Sequence, residues 1–242
     1  MMNDMQYTAY RIKHAKPFSM TKYKTARDFA LDTVRRAIVE GHLSPGQQLD
    51  DHELSQQMGI SRTPVREAIQ ILEVQGFVVH RPFSKPVVSP LSAEQIEEVY
   101  MIRRALEGRA TYHACSNIGT KELQRLKRLT RDEARAIERG DGLLWSQCNR
   151  QFHTLLYAAS GKSFLCRYID WLLDLSTLYM ITFAEFLRQR LKESNKDHVQ
   201  IIHACQERNP ELAESLVQHH LEKSAVLLVE YVRSQGYGRP PQ

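Results

Sequence analysis

Between Asp50 and Gly76 the chain writes two helical patterns with only Gly59-Ile60-Ser61 to join them, and few folds accept so short a connection. Asp50 followed three residues later by Glu53 predicts the start of a short helix that stops at Gly59. The next helix follows almost at once: Thr63 is placed to cap it, Pro64 suits its first turn, and Val65, Ala68, Ile69 and Leu72 form an apolar face that runs to Gly76. The period then changes, because Phe77-Val78-Val79 and Pro86-Val87-Val88 are β-rich and flank the polar stretch from His80 to Lys85, the pattern of a small hairpin. Upstream, Thr25 to Glu40 has helical spacing and ends at Gly41, and Leu43-Ser44-Pro45-Gly46 reads as a turn. Residues 23–90 are thus predicted to be a winged helix-turn-helix of three helices plus a β-hairpin, preceded by a basic extension over 1–22.

After Pro90 strand signals give way to helical patterns near 92–115, 121–139, 143–159, 163–190, 194–207 and 210–234. Their separators include Gly119, Gly140, Gly161 and Asn209-Pro210. The expectation for 93–236 is an all-helical antiparallel bundle of about six helices, which makes the chain mainly α overall.

With 42% hydrophobic and 25% charged residues, the 242-residue chain has an ordinary globular composition and enough length for two cores. The longest apolar stretch, Trp171 to Phe183, is interrupted by Asp174 and too short to span a bilayer; with no export segment visible, a cytoplasmic protein is expected. The cysteines Cys115, Cys148, Cys166 and Cys205 have no close pair and are read as reduced core residues. The net charge of +5 is modest, but residues 1–27 hold Arg11, Lys13, Lys16, Lys22, Lys24 and Arg27 against Asp4 alone. That is either an arm for phosphates or a solubilising tail.

A hairpin beside two tightly joined helices places the second helix in a major groove. Ser61, Arg62, Thr63 and Arg66 cluster at the start of that helix, where side chains reach base edges and the positive dipole end meets phosphate. Arg62 and Arg66 are the candidate readers, since a guanidinium fork takes guanine O6 and N7 together, while Ser61 and Thr63 suit phosphate. Taken singly, each could be a solvated charge.

Farther on, Asn149 and His153 stand one helical turn apart, and His198 and the His219-His220 pair lie on two later helices. Three imidazoles and an oxygen would suit zinc or another divalent transition metal such as nickel. The same residues could equally be hydrogen-bonded core or surface histidines. His203, five residues past His198, would leave a different face of its helix. Arg103 has Glu107 four residues on, a spacing that allows a salt bridge.

The run from Leu54 to Val79, and above all Ser61-Arg62-Thr63-Pro64-Val65-Arg66-Glu67-Ala68, resembles the signature of GntR-type bacterial regulators. Val99 to Glu107, Asn149-Arg150-Gln151-Phe152-His153, Ser160-Gly161, the segment from His198 and His219-His220-Leu221 resemble the FCD effector domain of the FadR-type subfamily. The resemblance implies a repressor that binds a palindromic double-stranded operator as a homodimer and is released by a small organic acid. It implies DNA contacts by His52, where the family commonly has Arg, and by Lys85 on the wing, whose tip lacks the glycine frequent in the family. It also implies a metal held by Asn149, His153, His198 and His220, with Asn149 replacing the more usual Asp, and an Arg103 that faces the cavity and meets the effector carboxylate. The competing reading is a metal-dependent enzyme acting on a small carboxylate, but no His-Glu-x-x-His is present, and the chain is expected not to be an enzyme.

Overall fold

The computed structural model describes residues 23–90, 92–182 and 188–234, and the expected extension over 1–22 lies outside them. The chain divides into two compact units between Ser89 and Pro90.

In the first unit α1 (Ala26–Val39) starts at Thr25, whose hydroxyl accepts from Asp28 N, and buries Phe29, Val34 and Ile38. For α2 (Asp51–Met58) the Asp50 carboxylate accepts from the backbone N–H groups of His52 and Glu53, and Gly59 closes the helix with a left-handed φ of 67° that favours glycine. Helix α3 (Arg62–Val74) packs on α1 and α2 through Val65, Ala68, Ile69 and Leu72. Its N-cap is Ser61, not Thr63 as expected, because the extended backbone ends at Ser61 and Arg62 is already helical. Pro64 still falls in the first turn, where its missing N–H costs no bond. The wing is a two-stranded antiparallel hairpin of β1 (Val78–Val79) and β2 (Val87–Val88), with Val78 opposite Val88 and a further bridge from Gln48 to Val87.

The second unit holds α4 (Ala93–Asn117), α5 (Thr120–Arg139), α6 (Gly142–Ala158), α7 (Ser163–Thr182), α8 (Arg188–Gln206) and α9 (Pro210–Ser234). Helix α4 packs on α6, α7, α8 and α9, while α5 lies against α6 and α8. The end expected at 190 for the helix begun at 163 is not tested, because residues 183–187 lie outside the described ones. Among the described residues no helix is long and apolar enough to cross a membrane. All four cysteines are free, and burial pushes the Cys205 thiol up to about 12, which makes it inert at neutral pH.

The bundle's interior is unusually polar. Arg103, Glu107, Glu133, His153, Arg190, His198 and His220 are all buried. Charges removed from water are tolerated only when paired and hydrogen-bonded, so their partners carry information.

Candidate nucleic-acid interface and candidate metal centre

On the first unit Ser61, Arg62, Thr63 and Arg66 are all exposed at the beginning of α3. The Ser61 side chain makes no capping bond, which leaves its hydroxyl available beside the free N–H groups of the first turn. Arg62 donates from Nη2 to Asp51 Oδ1 at 2.7 Å, and Arg66 Nε donates to the other oxygen of the same carboxylate. Lys85 Nζ reaches across from the wing to Asp50 Oδ2 at 2.7 Å. Two neighbouring carboxylates therefore gather the three cations that the sequence assigned to DNA. The Lys85 bond, with the helix-cap bonds, holds Asp50 down at about 2. Burial opposes ionisation of Asp51, but the two arginines outweigh it and lower its pKa. His52 is exposed on α2, its ring bonded to Gln56 at 3.1 Å. The sequence reading used Asp50 only as a cap and passed over Asp51, whose partners lie 11 and 15 residues away.

In the bundle, His153 from α6, His198 from α8 and His220 from α9 converge, with one ligating atom from each lying within 4.8 Å of the others. A helix turns by 3.6 residues, so His203 and His219 leave on outer faces, exposed and paired with Glu207 and Glu222. The tautomers follow from the neighbours. Tyr157 donates its only proton to Glu107 Oε2 at 2.5 Å, so at its 2.8 Å contact with His153 Nδ1 it must accept, and Nδ1 carries the hydrogen. His198 Nδ1 donates to Glu133 Oε2 at 2.9 Å, and His220 Nδ1 lies 3.3 Å from Asp197 Oδ2 and 3.4 Å from the donor Arg190 Nη2. For His153 and His198 the hydrogen on Nδ1 leaves Nε2 with its lone pair, the arrangement that outer partners impose on metal-binding histidines.

His198 Nε2 is buried with no hydrogen-bond partner, and Phe152 stacks on the ring with centroids 4.0 Å apart, which fixes its plane. An unpaired buried acceptor of this kind costs about 1–3 kcal/mol unless something fills the space before it. An ion bonded to imidazole at about 2.0–2.1 Å brings its ligand atoms within roughly 4.2 Å of one another, so small side-chain shifts close the cluster on a metal. Burial drives the pKa of His153 well below the ordinary range, aided by the other two imidazoles. Burial also takes His220 down to about 3 despite the opposing pull of Asp197. Neutral imidazoles are the ligating form. The donor set fits a divalent transition metal.

Asn149 lies one turn before His153 and lines the same cavity. Arg103 forms the salt bridge that its spacing from Glu107 allows. It lines that cavity, and it is buried in a paired bond to Glu107, with Nε to Oε1 at 2.5 Å and Nη2 to Oε2 at 3.3 Å, while Nη1 donates to Ser176 at 3.0 Å. A continuous chain of hydrogen bonds therefore runs from Arg103 through Glu107 and Tyr157 to His153. The cavity has about 30 Å³ open to water-sized atoms. That is room for an ion and a water, at about 10–15 Å³ per water on this measure.

The orienting residues Tyr157, Glu133 and Asp197 were missed from sequence. Glu133 was within reach: it interrupts the buried stripe Leu126, Leu129, Thr130, Ala136 and Ile137 of α5, and a carboxylate on an apolar face asks for a partner.

A winged helix-turn-helix with exposed arginines at the start of α3, in one chain with a bundle whose centre is polar and rich in histidine, is the make-up of a DNA-binding transcriptional regulator with an effector domain. The chain belongs to the bacterial regulatory proteins of the gntR family, matched over residues 27–84, and carries an FCD domain over residues 98–223. It is similar to the Nta operon transcriptional regulator of Aminobacter aminovorans, at 27% identity over 81% of this chain and 90% of that one. It is also similar to the transcriptional repressor RspR of Escherichia coli, at 27% identity over 78% of this chain and 83% of the relative. The crystal-solved McbR/YncC of Escherichia coli shares the fold, with a TM-score of 0.76, 23% identity, and coverage of 86% of this chain and 99% of that chain. These families and relatives are transcriptional regulators, not enzymes.

Proposed function

We propose that this regulator is a cytoplasmic repressor that binds a palindromic operator as a homodimer and is released by a small organic acid. In this reading Arg62 and Arg66 contact base edges, and His52, Ser61, Thr63 and Lys85 contact the backbone. Residues 1–22 add a basic extension, 23–90 form the DNA-binding head, and 93–236 bind the effector and dimerise. His153, His198 and His220, with Asn149, hold a divalent transition metal such as zinc or nickel, and Arg103 grips the effector carboxylate. The observation that supports this best is the set of three buried imidazoles with one ligating nitrogen from each within 4.8 Å of the others, each ring also bonded through Nδ1.

When bound, a divalent ion supplies a Lewis acid that attracts a carboxylate. The protein's own part is positional. Glu107 and Tyr157 keep Arg103 and His153 in fixed geometry, so an acid that draws on the remaining N–H groups of Arg103 acts on the same network as the imidazoles. Asn149 contributes an oxygen without charge, which leaves a bound dication less neutralised than an Asp would and increases its pull on an anion. If effector and operator oppose each other, linkage requires equal and opposite effects on each affinity, typically about 1–3 kcal/mol.

Elemental analysis of the purified chain, followed by a thermal-shift screen of organic acids with and without chelator, tests the proposal. We expect one metal per chain, its loss in His198→Ala, and a carboxylate that raises Tm only in the metal-loaded protein and weakens DNA binding. A metal-free protein whose Tm is indifferent to added zinc and nickel would refute the metal centre.

A further inference from the structure

The wing tip holds a residue at odds with its backbone. Arg81-Pro82-Phe83-Ser84 forms a tight turn in which Ser84 N donates to Arg81 O at 3.1 Å and Ser84 Oγ donates to the same oxygen at 2.9 Å. The His80 ring braces it from the side through Ser84 O at 2.9 Å. Proline at the second place and a positive φ at the third is the arrangement of a type II turn, whose third place favours glycine. Here that place is occupied by Phe83, at a φ of 61°. Its side chain is fully exposed, with a relative accessibility of 109%. A bulky residue in the left-handed region is strained, and this one recovers nothing by packing on its own chain. A hydrogen-bonded turn thus holds an aromatic ring out in water, where a partner can cover it.

The neighbourhood identifies that partner. A groove of about 310 Å³ separates α3 from the wing, lined by Arg66 and Lys85, by His80 and Ser84, and by the carboxylates of Asp50, Asp51 and Glu73. If α3 occupies a major groove, the sugar–phosphate strand bordering it runs along this channel, where Arg66 and Lys85 can exchange their Asp51 and Asp50 partners for phosphates. The wing tip beyond that strand then faces the adjacent minor groove. Apolar side chains entering there part base steps and kink the duplex.

We propose that Phe83 is such a wedge: it enters the minor groove flanking the sequence read by α3, partly unstacks one base step and bends the operator. The proposal rests on the head reading given above. It makes the wing a determinant of specificity, because flexible pyrimidine–purine steps yield to a wedge more readily than stiff A-tracts.

The test uses the full-length protein and a duplex selected by it from a random pool, labelled at both ends for energy transfer and with 2-aminopurine at steps flanking the α3 contact. With wild type we expect a shortened end-to-end distance and 2-aminopurine brightening at one flanking step. Phe83→Ala is expected to lose about tenfold or more in affinity for that duplex, together with the bend and the brightening. Phe83→Gly separates function from structure: it should raise the Tm of the head by relieving the positive φ while it weakens DNA binding as much as alanine does. A Phe83→Ala protein that binds within twofold of wild type and bends the duplex equally would overturn the wedge. If Arg62→Ala loses the selected duplex in that same experiment, the head reading survives and only the wedge fails. Undiminished binding by Arg62→Ala would overturn both.

Discussion

Replacing Glu107 with Gln keeps the size of the side chain and removes its charge from the middle of the bundle. Glu107 accepts from Arg103 Nε at 2.5 Å, from Arg103 Nη2 at 3.3 Å and from Tyr157 at 2.5 Å. Both members of the pair are almost wholly inaccessible, with side-chain exposures of 5% for Arg103 and 0% for Glu107. In the variant the guanidinium keeps Ser176 at 3.0 Å and the face of Tyr100 at 4.7 Å, but no countercharge remains beside it. One carboxamide oxygen cannot serve every donor that two carboxylate oxygens served, and its NH₂ group meets another donor. Breaking one side of a buried pair costs about 3–5 kcal/mol. For a unit of this size each kcal/mol moves Tm by roughly 2–4 °C, so the bundle should melt about 6–20 °C lower. Circular dichroism melts of the chelator-treated chain measure this. The double variant Arg103→Met/Glu107→Gln, which removes both charges, should recover most of the loss. A Tm within about 3 °C of wild type for the single variant, or a double variant as unstable as the single, would show that Arg103 does not depend on this carboxylate.

Two further outcomes follow from the same geometry. In the folded chain His220 titrates at about 3 and His153 well below the ordinary 6.5, so between these limits the unfolded chain binds more protons than the native one. Stability of the metal-free bundle should therefore be complete above about pH 6.5 and fall on acidification, by about 1.4 kcal/mol per pH unit for each of the two histidines; urea unfolding at pH 7, 6 and 5 reads the slope, and a flat profile contradicts the burial argument. Asp51→Asn should release Arg62 and Arg66 from their shared carboxylate, raising affinity for random duplex several-fold while narrowing the ratio between selected and random DNA; an unchanged ratio in polarisation titrations at two salt concentrations would exclude a restraining role for Asp51.

Local sequence was enough for most of the elements. Asp50, Gly59, Gly76 and Gly140 act on backbone groups within a few residues of themselves, so the ends they set could be read without knowing the fold. The same holds for α3, whose apolar spacing decides which face is buried and leaves Ser61, Arg62, Thr63 and Arg66 outside. One end is an exception. Thr63 and Ser61 are both competent caps, and only the backbone path chooses between them.

The polar centres obey a different rule. Helical spacing showed that Asn149 and His153 share a face, and resemblance to a family singled out His198 and His220, but nothing local could place Glu133 against a histidine 65 residues away. Nor could it say whether the salt bridge of Arg103 to Glu107 forms, because that depends on the burial of both at the cavity wall. Asp50 and Asp51 look like an ordinary acidic helix start until the wing and α3 bring Lys85, Arg62 and Arg66 to them. Helices and turns arise from hydrogen bonds spanning three or four residues, which the sequence states directly. Sites arise where packed elements bring distant charges out of water together, and that distance is known only once the chain has folded.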